Sequence, residues 1–76
     1  MFLRRLGENE RSYCDTAFNC PQILELENGD FAVVGVDITA AASNAMPPGP
    51  GIGPKEMMVR IPRAVMIAAR AEIPAA

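Results

Sequence analysis

The sequence predicts an α+β fold: a small antiparallel sheet, made of a β-hairpin plus a third strand, packed by one C-terminal helix. Three observations predict it. "QILELENGDFAVVGVDI" (22–38) sets two apolar runs around Asn28-Gly29, a strong local hairpin signal. "EMMVRI" (56–61) alternates with a period of two, as a half-buried strand does. "PRAVMIAARA" (62–71) then turns alanine-rich and helical, with Pro62 suited to a first helical position, where a missing N–H costs nothing.

Taken in order, "MFLRRL" (1–6) reads as one amphipathic turn, with Phe2, Leu3 and Leu6 inward and the arginines outward. Residues 7–21 hold no sustained period and read as loop, so 1–20 is expected to be a partly disordered end. Hairpin strands follow over 22–27 and 30–38. A two-residue type I′ turn at Asn28-Gly29 pairs Leu26 with Phe31 and Leu24 with Val33, and a four-residue loop keeps that register. Leu24, Leu26, Phe31 and Val33 then form one apolar face. The opposite face carries Ile23, Val34, Val36 and Ile38, with Glu25 and Glu27 near the turn. Gly35, lacking a side chain, marks a bulge or a close backbone approach.

"TAAASNAM" (39–46) predicts a short helix with Thr39 as its N-cap. The Pro/Gly-rich segment 47–55 is a rigid loop. A third strand spans 56–61 and a helix 62–72. At about 100° per residue, Arg63 and Arg70 share one stripe; Ala64, Val65, Ala68 and Ala71 lie opposite, and Met66 and Ile67 flank the arginines. Pro74 ends the helix.

Size and charge bound the function. Seventy-six residues make one domain, 1–76. A chain this short buries only about 60% of its unfolded surface. Half of its residues are apolar and only 21% charged, which calls for self-association or another partner. Residues 1–39 hold three arginines against seven acidic residues, a net of −4; residues 40–76 hold four cations against two acids, a net of +2. Such halves attract each other within or between chains but make no basic footprint for nucleic acid. No apolar run approaches the roughly 20 residues of a membrane span, and "MFLRRL" has no secretory pattern behind it. A cytoplasmic setting is expected.

Catalytic chemistry is scarce. There is no histidine, and Cys14 and Cys20 lack the spacing of a CxxC pair, so reduced thiols and no metal or cofactor are expected, with a disulfide closing a short loop between them as the alternative. Glu25, Glu27 and Asp30 read as a solvated face or an acidic contact for a basic partner. "GPGIGPK" fails as a phosphate loop, because prolines remove N–H donors and a strand follows. No catalytic residue is assigned, and the chain is not read as an enzyme.

"VRIPRAVMIAAR" resembles the strand-to-helix start of ribbon-helix-helix repressors and of AbrB-like regulators. That resemblance implies phosphate or base contacts by Arg60 and Arg63. Ribbon-helix-helix proteins continue into a second helix, for which residues 72–76 are too few. Over residues 20–70, "CPQILELENGDFAVVGVDIT", "MPPGPGIGP" and "VRIPR" resemble a family of small uncharacterised actinobacterial proteins. This second resemblance implies a shared fold and a bacterial cytoplasmic setting, and no activity.

The expectation is therefore a non-catalytic interaction or regulatory module, acting as a homodimer or bound to another protein. Its contact surface would be Val65, Met66 and Ile67 with an open strand edge. The alternative is a small dimeric DNA-binding regulator using Arg60, Arg63 and Arg70 of two subunits.

Overall fold

A computed structural model describes residues 1–7 and 20–73. Strands β2 (Gln22–Leu26) and β3 (Phe31–Val34) form the expected hairpin, and β1 (Phe2–Leu6) adds to the other side of β2. All pairings in this sheet, ordered β1-β2-β3, are antiparallel. Strands β4 (Val36–Asp37) and β5 (Val59–Arg60) pair as a second, two-stranded sheet. Helix α1 (Thr39–Ala42) follows β4, and α2 (Arg63–Arg70) follows β5. The fold is α+β.

The hairpin register differs by one residue from the expected one, and the turn is the reason. Leu24 pairs with Ala32 and Glu25 with Phe31. Gly29 N–H donates to the Leu26 carbonyl at 3.0 Å, and Leu26 N–H to the Asp30 carbonyl at 2.8 Å. The loop is thus the three residues 27–29. Gly29 takes the left-handed position with φ of 94°, while Asn28 keeps negative φ, so the turn is not type I′. Asn28 instead accepts the Asp30 N–H on its Oδ1 at 2.9 Å, an Asx turn.

A one-residue slip reverses every side chain. Ile23 and Glu25 therefore share a face with Val33 and Phe31, not with Val34. Leu6 and Arg4 of β1 stand on that same face, opposite Ile23 and Glu25.

The N-terminal segment, expected as an amphipathic turn, is a strand. Six residues cannot hold a helix by themselves, and the free edge of β2 satisfies their backbone instead. Of the three apolar residues expected inward, only Leu6 is buried; Phe2 and Leu3 are exposed. The register shifts between Phe2 and Arg4. Residues 8–19, and with them the loop expectation and Cys14, lie outside the described residues.

Residues 56–61 do not supply the third strand of the main sheet, since β1 occupies that place. Only Val59 and Arg60 are extended, paired with Asp37 and Val36. The expected strand 30–38 breaks at Gly35, where a Cβ would lie 2.6 Å from the Arg60 carbonyl oxygen. Close backbone approach, one of the two readings of this glycine, is what the structure has.

Helix α2 is shorter at both ends than the expected 62–72. Pro62 is its N-cap, with its carbonyl accepting the N–H of Val65 at 3.1 Å and of Met66 at 3.3 Å. Val65 and Ala69, one turn apart, are buried with Leu6 and Ile23, and Ile61 packs against this cluster. Ala71, expected inward, is exposed at the C-cap. Pro74 lies outside the described residues.

Ile38, not Thr39, is the N-cap of α1. The Thr39 hydroxyl works as a latch instead: it accepts the Met58 N–H at 2.8 Å and donates to the Met58 carbonyl at 3.4 Å. Asp37 Oδ1 accepts the Thr39 N–H at 2.9 Å. The Thr39 side chain, and second this backbone bond, hold the Asp37 carboxyl below its ordinary value. Segment 47–55 holds no helix or strand, as expected. Cys20, expected as a reduced thiol, is disulfide-bonded.

Candidate interaction surface

The inner face of the sheet is closed by one polar network at its β1 end. Arg4 Nε donates to Glu25 Oε1 at 2.9 Å, and Arg4 Nη2 to the Glu72 carbonyl at 2.8 Å. The Glu72 carboxylate in turn accepts the Gly7 N–H. The guanidinium thus pairs a carboxylate that is 7% exposed and places positive charge at the C-terminal end of α2, where the helix dipole favours it.

Glu25 is therefore not part of a solvated acidic face. The slipped register turned it inward. Glu27 and Asp30 are exposed, as expected, but separately engaged. Glu27 accepts the N-terminal ammonium at 3.1 Å, and Asp30 accepts the Asn28 side-chain amide at 3.2 Å.

Helix α2 covers this face unevenly. A Cβ on Gly7, next to the end of β1, would lie 3.2 Å from the Ala68 Cβ. The flank carrying Ala64 and Ala68 therefore faces β1. Met66 sits on the opposite flank of the helix by the helical period. Phe31 and Val33 stand on the sheet face that carries Ile23 and are each 41% exposed, and Met66 is 48% exposed. Ile73, just past the helix, is exposed as well.

Of the residues singled out as an interface, Val65 is buried at 3% in the chain's own core. Met66 and Ile67 are exposed, Ile67 on the outward stripe beside Arg63 and Arg70. Phe31 and Val33 are the additions. Sequence reasoning placed them in the apolar face of the hairpin and had no signal that they would stay exposed.

Backbone groups complete this surface. Leu26 N–H bonds to the Asp30 carbonyl, so residues 30, 32 and 34 turn their backbone polar groups toward β2. Phe31 and Val33 turn theirs the other way. Among the described residues no strand pairs with that outer edge of β3.

The three arginines of the DNA-binding alternative are all exposed: Arg60 on β5, Arg63 and Arg70 at the two ends of α2. None makes an ion pair among the described residues. An eight-residue helix sets Arg63 and Arg70 about 10 Å apart along its axis. No group of three or more His, Cys, Asp or Glu that could hold a metal occurs among the described residues. No described helix is long and apolar enough to cross a membrane. Neither a family model, nor a curated protein, nor a solved structure matches this chain.

Proposed function

We propose that the chain is a non-catalytic interaction or regulatory module that self-associates through the exposed flank of α2 and the open sheet edge. The observation that carries this reading is that Phe31, Val33 and Met66 are exposed apolar residues and that, among the described residues, no strand pairs with the outer edge of β3. Light scattering across a hundredfold dilution tests the reading: a molar mass twice the 8.1 kDa of one chain is expected. A monomer at every concentration would leave only binding to a different protein, for which a pull-down is the test.

A second reading is a small dimeric DNA-binding regulator. The exposed and unpaired Arg60, Arg63 and Arg70 favour it, and the net charge of −2 opposes it. A mobility-shift titration over a salt series decides between them, since tight binding that falls steeply with salt is the signature of phosphate contacts.

The proposed setting is the cytoplasm, where thiols are kept reduced, and the disulfide at Cys20 weighs against it. Trapping free thiols by alkylation at the moment of lysis resolves the two.

A further inference from the structure

We infer that the occupant of the β3 edge is a second copy of this chain, docked antiparallel about a two-fold axis. The two three-stranded sheets would then join into one sheet with both α2 helices on the same side. This inference rests on the self-association proposed above and specifies its geometry.

Three features of the structure lead to it. The first is the parity of the edge. Outward backbone groups belong to Phe31 and Val33, and an antiparallel ladder pairs outward residues with outward residues. Directly opposed residues share a face, so Phe31 and Val33 of both copies stay on the helix side.

The second feature is the contrast between the two edges of the sheet. Strand β1 carries two arginines and a register irregularity, devices that discourage edge pairing. Strand β3 reads Phe-Ala-Val-Val, with no charge and no proline, and its ladder with β2 is regular. Of the two, only β3 is built to accept a partner.

Charge gives the direction. At the turn end of the hairpin Asp30 is exposed, while Glu27 is paired with the N-terminal ammonium, and beyond the far end of β3 Arg60 stands exposed beside Val36. Antiparallel docking sets the acidic end of each copy toward the basic end of the other, twice by symmetry. Parallel docking would set like ends together.

The test is amide hydrogen exchange by NMR at two protein concentrations, with light scattering on the same samples. In the concentrated sample the amides of Phe31 and Val33 should exchange at least about tenfold more slowly than in the dilute one, while those of Ala32 and Val34 stay equally protected in both. Val33→Pro removes an outward N–H and no bond to β2, so it should yield a folded monomer. Asp30→Lys and Arg60→Glu should each weaken the dimer and together restore it, which keeps the test decisive if the proline variant does not fold. A dimer whose Phe31 and Val33 amides exchange freely, or charge variants without mutual rescue, would overturn this geometry and leave self-association standing. A monomer at all concentrations would remove both.

Discussion

The half of the molecule made by β1, β2 and α2 and the half made by β3, β4 and β5 are both rich in apolar residues, and only the first buries a cluster of them. On the first side Leu6, Ile23, Val65 and Ala69 are buried together, and the one buried charge, Glu25, has its guanidinium. On the second side Phe31, Val33, Val34 and Val36 all remain more than two-fifths exposed. The difference is coverage. Helix α2 buries Val65 and Ala69 against Leu6 and Ile23 and leaves Phe31 and Val33 exposed. Apolar residues on an uncovered strand are what a partner surface is made of, whereas the same residues under the helix are structural.

The comparison breaks first in the core. Ile23→Ala should lower the unfolding free energy by about 3 kcal/mol, because the cavity it leaves lies under α2 with little room to collapse. Val34→Ala, on the exposed side, should cost under about 1 kcal/mol. Urea denaturation measures both, and equal losses would erase the distinction between the two halves.

Next in size is the disulfide at Cys20, immediately before Pro21 and β2. Cys20→Ser should lower stability by about 2 kcal/mol. A reductant should lower the melting temperature of the natural chain and leave that of the variant unchanged.

Arg4 sharpens the comparison further, because it ties the packed half at two points. Arg4→Ala should cost about 1–2 kcal/mol, less than a fully buried pair, since the arginine itself is partly in water. Adding Glu25→Gln should return part of that loss by removing the stranded charge, and a double-mutant cycle reads the coupling. Arg4→Lys should recover little, because one ammonium cannot span the Glu25 carboxylate and the Glu72 carbonyl as a guanidinium fork does.

The smallest effect belongs to the exposed half. The Asp37 carboxyl sits below its ordinary value because Thr39 bonds its charged form. Its contribution is therefore complete above the unfolded value, near pH 4, and is lost only as pH falls through the lowered folded value. Asp37→Asn should leave stability at neutral pH almost unchanged and flatten the acid limb slightly. A loss beginning at pH 6 would contradict the Thr39 latch.

Much of this architecture is legible in the residues. Asn28-Gly29 between two apolar runs places the hairpin, Gly35 announces the close approach of Arg60, and the spacing of Arg63 and Arg70 sets which stripe of α2 meets water. Local signals of this kind survive because turn sterics and helical period are properties of a few adjacent residues. The face of the hairpin was not legible. A turn containing Gly29 closes with two loop residues or with three, and the choice of three put Ile23 and Glu25 inward. It was made by what the strands then bury: one register offers Ile23 to Leu6, Val65 and Ala69, and Glu25 to Arg4.

The position of β1 was decided the same way. "MFLRRL" has no period long enough to declare itself, and becomes a strand only because β2 presents an edge on which Arg4 meets Glu25. So the sequence by itself determined what is local: the place of the turn, the close backbone approach at Gly35, the presence of a helix after Pro62 and its polar stripe. Only the tertiary structure decided the hairpin register, the break of the strand at Gly35, the third strand and the exposure of Phe31, Val33 and Met66. Those depend on which distant surfaces meet, and pairing energy between distant segments is not encoded in the spacing of either one.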